Sequence, residues 1–403
     1  MSNSPHIVFL NRCYPPEVGA TGKILKRLAE ELSARFRVTL LVGRPALPSK
    51  DRSFWGWSVS SQEGAVTVER IGTTAFEHTC LIGRIINYLT YLLLAMVRVF
   101  TIRPTPAIII AMTDPPLTCV IGALAVMIKS CKFVYSVQDL HPDMALASGM
   151  VKPGLVVSAW HWVHIWAMRK AHVVIVLGED MRDRVVAKGI NPERVVVIRH
   201  GADPRESPLS NGHPLVREIR NGFSFVVVYS GNFGFAGAWE VLIESARQLT
   251  GQDVRFVFVG EGSFQSKLKS LAVGLSNVLF LPYCSHEDFP YLLAAGDLHI
   301  VTIRTGLEGL VVPSKLYPLL VAGCPVLAIA PQGSDVARMI RQHQFGLFAD
   351  STSTDAVVES ILYLKDHPCE LKKMGQRAAK LGTVYSHSRM AGKFCNILEG
   401  FCS

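Results

Sequence analysis

Arg304 and Lys315 are the residues on which phosphate-handling chemistry can be built. Arg304 ends an apolar run at 298–303 that reads as a buried strand. Lys315 follows Pro313 and Ser314 and opens an apolar segment that stops at Gly323, and a second apolar run, 325–330, closes the stretch. Strand, loop, helix, strand is the order a parallel crossover needs. Ser314 is then the expected N-cap and Gly323 the expected helix stop. A helix start leaves N–H groups unpaired and carries the positive end of the dipole, so with Lys315 and Arg304 beside it the site suits a diphosphate. An ordinary βα turn with a solvated lysine fits the same residues.

A second chemistry-bearing cluster is Gln138-Asp139-Leu140-His141-Pro142-Asp143, which follows the apolar run 132–137. Reactive groups in α/β proteins gather at the carboxyl ends of strands. A carboxylate there, Asp139, can position an acceptor hydroxyl or accept its proton, and His141 is read as an exposed neighbour, next in line to test. Glycines mark further strand ends: Gly231 and Gly234 around Asn232, Gly260 and Gly262 around Glu261, and Gly19 with Thr21 after the first strand. Backbone N–H groups of such loops can face phosphates. Gly19-Ala20-Thr21-Gly22 is not G-x-G-x-x-G, so an NAD-type oxidoreductase is not supported.

The elements that must carry these residues alternate strand and helix from His6 onward. At 403 residues the chain is too long for one ordinary core, and two domains are expected. Residues 204–222, rich in Ser, Pro, Gly and charge, read as a linker between domains at 1–203 and 223–385, with an amphipathic helix at 386–403. The net charge of +9 divides as +8 over 1–203 and +1 over the remainder, so the first half faces something acidic. No zinc-finger spacing, RNP-like cluster or dense basic tract points to nucleic acid. A positive mean hydropathy leans instead toward an anionic membrane surface. Residues 81–100, with Arg84 and Arg98 near their ends, are either a buried crossover helix or an interfacial one with both arginines near lipid head groups. Residues 45–80 read as loop, and Trp160, Trp162 and Trp166 as core packing. Nine cysteines without a C-x-x-C pair suit buried thiols in a reducing cytoplasm, and the first residues run straight into a strand pattern rather than a signal peptide.

The segment PSKLYxxLxAGxPVLA, with LEGLVV before it, resembles the donor-binding segment of family 4 glycosyltransferases of the GT-B fold. The resemblance is nearest to the bacterial branch that builds capsule, O-antigen and exopolysaccharide. Gln138-Asp139 with Pro142, the turn at 260–262 and the junction at 199–203 are similar to further segments of that family. The resemblance implies an α/β fold of GT-B type, two Rossmann-like domains facing across a cleft, with the last helix crossing back to the first. It implies a retaining hexosyl- or N-acetylhexosaminyl-transferase that uses a UDP-linked sugar donor, no other cofactor and no metal. Its partners would be the nucleotide sugar, a polyprenyl-linked acceptor and an anionic membrane surface, with no nucleic acid. The location implied is cytoplasmic, peripheral on the inner face of the plasma membrane. The catalytic residues implied are Asp139, Arg304 and Lys315. Gly231, Asn232, Gly234, Gly260, Gly262, Tyr283, Glu308, Ser314 and Tyr317 would bind the donor, and Gly19, Thr21 and His141 would lie on the acceptor side.

The chain also departs from the family pattern. The usual Glu–x7–Glu pair falls on Leu310 and Pro318, leaving Glu308 nearby for the ribose. Gln138 stands where many relatives have histidine, and Asn232 and Gly237 stand where they have arginine and lysine. A sugar-nucleotide epimerase and a non-catalytic transferase-like subunit remain as alternatives.

Overall fold

A computed structural model describes residues 4–17, 19–45, 57–76, 81–203, 212–285 and 287–402. Trp55, Cys80, His286 and positions 204–211 of the expected linker lie outside the described residues. The chain divides into two compact units, Met1–Arg199 with Met390–Ser403, and His200–Arg389.

The first unit holds β1 (His6–Leu10), β2 (Arg37–Gly43), β3 (Ser58–Glu63), β4 (Val66–Ile71), β5 (Ile108–Ala111), β6 (Lys132–Ser136), β7 (Val173–Val176) and β8 (Val195–Val197). They form one sheet in the order β3-β4-β2-β1-β5-β6-β7-β8. All neighbours are parallel except β3 and β4. The central strands are continuous apolar runs because helices cover both faces. Every residue of β1 and β5 is accordingly buried. The hairpin β3–β4 departs from the loop expected over 45–80. Only one side of β3 is paired, and its sequence SVSSQE stays largely exposed, so it carries no apolar signal.

Helices α1 (Ala20–Leu32), α2 (Leu81–Thr101), α3 (Thr118–Ile128), α4 (Asp143–Ala147) and α5 (Leu155–Lys170) connect these strands. Right-handed crossovers put α2, α3 and α5 on one face, because β4→β5→β6→β7 all step the same way across the sheet. The first crossover steps the other way and puts α1 on the opposite face. The C-terminal residues of this unit pack there too: Phe394 lies 6.2 Å from Phe9 between ring centroids, and Arg35 pairs with Glu399 at 2.8 Å. On α2, Arg98 turns inward to the buried Glu69 and is not left for a head group; Arg84 alone of the two keeps that option. Trp162 is 68% exposed, contrary to its expected place in the core, whereas Trp160 and Trp166 are half-buried.

The second unit holds β9 (Phe225–Ser230), β10 (Val254–Val259), β11 (Val278–Leu281), β12 (Leu298–Thr302), β13 (Val326–Ala330) and β14 (Gly346–Asp350). All are parallel, in the order β11-β10-β9-β12-β13-β14. This is the 3-2-1-4-5-6 order of a dinucleotide-fold sheet, whose ligand crevice opens where the order reverses. Here that point lies between β9 and β12. One face carries an aromatic cluster in which Tyr229 and Trp239 meet edge to face at 4.8 Å. On the other face Val216 and Ile219 pack against the sheet. These two residues belong to a helix, Pro214–Arg220, inside the stretch expected to be linker. Its apolar residues are spaced to bury one side, a signal masked by the polar composition around them.

Candidate active site

In the second unit the candidate donor residues are brought together by close backbone packing. Gly231 follows β9 and donates its N–H to the Val259 carbonyl at 2.9 Å, while Gly260, after β10, donates to the Leu281 carbonyl at 3.0 Å. Gly260 has φ +138°, and a Cβ added there would lie 2.0 Å from the Gly231 carbonyl oxygen. Only glycine lets the two strand ends cross this closely. Gly262 is as constrained, since its Cβ would meet Asn232 Oδ1 and the Phe233 carbonyl at 2.5 Å. Tyr283 flanks Gly260 with more than half its surface exposed. The Gly234 carbonyl accepts from Trp239 Nε1 at 2.6 Å. The Ala236 carbonyl accepts from the Arg304 backbone at 2.7 Å, which ties the glycine loop to the end of β12. Trp239 also explains the glycine at 237, for its indole would lie 2.2 Å from any Cβ at that position. A lysine does not fit there.

Lys315 reaches this loop. Its Nζ sits 3.4 Å from the centroid of the Tyr229 ring and against Gly231, where an added Cβ would lie 2.8 Å away. Nζ is buried and has no hydrogen-bond partner among the described residues. Burial pushes its pKa well below the ordinary lysine value. A cation–π contact is worth about 2 kcal/mol or somewhat more when desolvated, still less than stripping water from an ammonium costs. An anion at this spot would supply the missing partner and raise that pKa again. Arg304 stands exposed at the end of β12, next to β9 in the sheet. Glu308 accepts from the Gly306 N–H at 2.9 Å and so braces its own loop.

Two expectations for this segment need correction. Ser314 is exposed and caps nothing: the N-cap is Lys315, without a side-chain cap, and the helix is only Leu316–Val321. Pro313 starts a tight turn in which the Leu316 N–H donates back to its carbonyl at 3.0 Å, so winding begins before the helix proper. So short a helix has little dipole, and the positive charge here is Lys315 itself. Tyr317 is 1% exposed and packs edge to face on His200 and Tyr385, so it is core rather than a donor contact. Gly323 does end the helix, at φ +70°, with its own N–H donating to Leu320 and that of Cys324 to Leu319.

In the first unit, Asp139 lies just beyond β6. Burial, and then the charge of Asp114, push its carboxyl up to about 6. His141 is buried, not exposed, and stacks on Trp160 at 5.7 Å; burial lowers its pKa to about 4, so it is neutral at pH 7. Gly19 is the N-cap of α1, and a Cβ there would press on Cys13 Sγ at 2.6 Å. Thr21 is half-buried in the first turn. Gly22 meets the backbone of Cys13 and Tyr14, so it too sets how close α1 approaches the loop after β1.

Sequence reasoning passed over the neighbours at the point where this sheet reverses. Arg12, after β1, is buried between Glu17 at 3.0 Å and Asp114 at 3.3 Å, and Asp114, after β5, also accepts from the Cys13 N–H at 2.9 Å. Burial works against the guanidinium charge, but the two carboxylates outweigh it and hold Arg12 firmly protonated. Their position directly after apolar runs was the available signal.

Comparison with known proteins names this arrangement. The description "Glycosyl transferase 4-like domain" matches residues 19–201 and "Glycosyl transferases group 1" matches 218–381. The chain is 24% identical over 386 residues to the putative colanic acid biosynthesis glycosyl transferase WcaI of Escherichia coli (strain K12), covering 90% of this chain and 94% of that one. It is 23% identical over 274 residues to the probable glycosyltransferase WbjE of Pseudomonas aeruginosa, covering 66% of each. Among solved structures, Anabaena Alr3699/HepE in complex with UDP and glucose superposes with a TM-score of 0.69 at 16% identity, over 98% of this chain and 99% of that one. Two α/β units with parallel sheets, both covered by transferase family descriptions, leave one assignment: the chain belongs to the family 4 glycosyltransferases of the GT-B fold.

Proposed function

We propose that the protein transfers a hexosyl or N-acetylhexosaminyl group from a UDP-linked donor to a polyprenyl-linked acceptor, with retention of anomeric configuration. The process is bacterial cell-surface polysaccharide synthesis (exopolysaccharide, capsule or O-antigen) at the inner face of the plasma membrane. The observation that carries the donor half is Lys315 Nζ, a buried amine with no hydrogen-bond partner among the described residues, beside a glycine loop. The leaving diphosphate places its charge there, with Arg304 at the neighbouring strand end, and preorganised cations of this kind stabilise charge that develops in the transition state. Asp139 takes the acceptor hydroxyl. With a pKa of about 6 it is ionised at neutral pH yet a stronger base than an ordinary aspartate. The relatives' names supply the process, since WcaI is named for colanic acid, and the UDP bound by the Anabaena protein supplies the nucleotide.

The test incubates the purified chain with a panel of sugar nucleotides and polyprenyl-diphosphate acceptors. Products are read by mass spectrometry and the new linkage by NMR. A new glycolipid with retained configuration supports the reading. A C2-epimerised donor without transfer identifies an epimerase, and nucleotide binding without any product a non-catalytic subunit.

A further inference from the structure

Among the described residues the two sheets end in four edge strands: β8 with three residues, β11 with four, β14 with five and β3 with six. Folded proteins keep such edges from pairing by shortness, by lysine or proline, or by a bulge. Strand β3 has none of these guards. It pairs one-to-one with β4 along its whole length, and its sequence SVSSQE holds neither lysine nor proline. Its one charge, Glu63, is turned toward α1, where it accepts from the Tyr14 hydroxyl at 3.0 Å and pairs with Lys26 at 3.3 Å. Directly before the strand, Trp57 is 87% exposed. The free edge also has a fixed hydrogen-bonding phase. The Trp57 carbonyl accepts from the Gly72 N–H at 2.9 Å, so residue 57 and every second residue after it turn their backbone groups to β4. Ser58, Ser60 and Gln62 therefore aim theirs at the open side.

We infer that β3 pairs antiparallel with β3 of a second copy of this chain, in the register centred on Ser60, so that the two first-unit sheets become one. A two-fold axis pairs identical strands antiparallel, and the register centred on Ser60 is the one that sets all three outward residues opposite one another. Ser60 then faces Ser60 of the second copy and Ser58 faces its Gln62, each pair exchanging both N–H···O bonds. The side chains agree with that register. Val59 falls opposite Ser61 and Trp57 opposite Glu63, so no like charges meet. By alternation Trp57, Ser61 and Glu63 share the sheet face that carries α1. On that face lies a groove of about 810 Å³, lined by Pro15, Pro16, Lys26, Glu30, Ser61 and Glu63 among others. The second copy's Trp57 enters the mouth of this groove beside Lys26, whose ammonium is placed to meet the indole face. One strand edge and one indole from each side make a small interface, so the dimer forms and parts with concentration. The pairing uses the first unit alone and stands apart from the transferase reading above.

The experiment follows the mass of the full chain by analytical ultracentrifugation over about 1–200 µM. Wild type should pass from monomer to dimer within that range. Ser60→Pro removes an N–H that β4 does not use, so it should weaken dimerisation at least tenfold with the melting temperature and UDP affinity unchanged. Trp57→Ala should weaken it by a smaller factor. A second measurement reads the register and does not depend on proline being tolerated. Ser60→Cys sets two thiols on Cα atoms about 5.5 Å apart, within disulfide reach, and should cross-link under mild oxidant. Ser58→Cys, which faces Gln62, should stay at the wild-type background. A wild type that is still monomeric at about 200 µM leaves the edge to an extended segment of another protein and overturns the proposal. So does a dimer that survives Ser60→Pro, which must use another face, or equal cross-linking of the two cysteine variants.

Discussion

Both sheets reverse their strand order once, and the two reversal points are built in opposite ways. Between β1 and β5 the buried cation Arg12 is matched within 3.3 Å by Glu17 and Asp114. Between β9 and β12 the buried cation Lys315 faces an aromatic ring and a glycine and has no hydrogen-bond partner among the described residues. The first arrangement is electrostatically closed and its charges hold the loops that carry them. The second is open: the fold answers the buried charge only with a lowered lysine pKa, and an anion from outside would relieve it with the charge kept. A charge at a strand end is thus not by itself a ligand site; what distinguishes the two is whether the fold has already supplied the counter-charge.

The largest expected effect lies beside the closed point. Asp139→Asn removes a positioned base and should lower turnover by about 10²–10⁴ while UDP affinity holds, because the donor residues belong to the other unit. In the wild type, turnover should fall as pH drops through about 6, where Asp139 protonates. The folded pKa is raised, so the folded state binds the extra proton and stability declines as pH climbs from the unfolded value toward 6. The Asp139→Asn variant should therefore be no less stable than wild type at pH 8, and by up to about 1–3 kcal/mol more stable. A variant within a few-fold of wild-type turnover would move the acceptor role off Asp139.

Arg12→Met sets the comparison at its sharpest. It strands the buried Glu17 and the part-buried Asp114 and should destabilise the first unit by about 3–5 kcal/mol in denaturant unfolding. Lys315→Met strands nothing. It should weaken UDP binding by about 1.5–3 kcal/mol in calorimetry and leave thermal stability equal or raised. Because the lysine pKa is depressed on folding, wild type gains stability as pH rises toward the unfolded lysine value, and the methionine variant should lack that gain. If Arg12→Met were harmless and Lys315→Met unfolded the protein, the contrast between closed and open points would be wrong. The smallest effects are expected at Ser314→Ala and Tyr317→Phe, each within about 0.5 kcal/mol in UDP affinity. A large loss at Tyr317 would restore a donor contact that its burial denies, and a large loss at Ser314 would make that exposed hydroxyl a donor contact.

Much of this was legible in the chain before any coordinates. Continuous apolar runs ending in glycine or a charged residue marked the parallel strands and their carboxyl ends, since strands buried on both faces leave no other composition possible. Asp139 and Arg304 sit just beyond such ends, and Lys315 closes the loop that follows β12, where the next helix starts. The hairpin β3–β4 escaped because an edge strand buries too little to leave a pattern, and the helix Pro214–Arg220 because its two buried residues lie among Pro, Gly and charge.

What the sequence by itself determined is the order of elements, the kind of sheet they build and the residue types placed at its ends, because local periodicity reports burial. Only the tertiary structure decided which charges meet a partner. Arg12 and Lys315 look alike in sequence, each a cation in the loop that follows an apolar strand. Whether a carboxylate or a tyrosine ring lies beside the cation depends on what sheet pairing brings next to it: β5, which carries Asp114, lies beside β1, and β9, which carries Tyr229, lies beside β12. The same holds for the tryptophans and Tyr317. Helical spacing shows that a side is apolar, but whether that side meets a core or an open surface is fixed by which helices the crossovers place side by side.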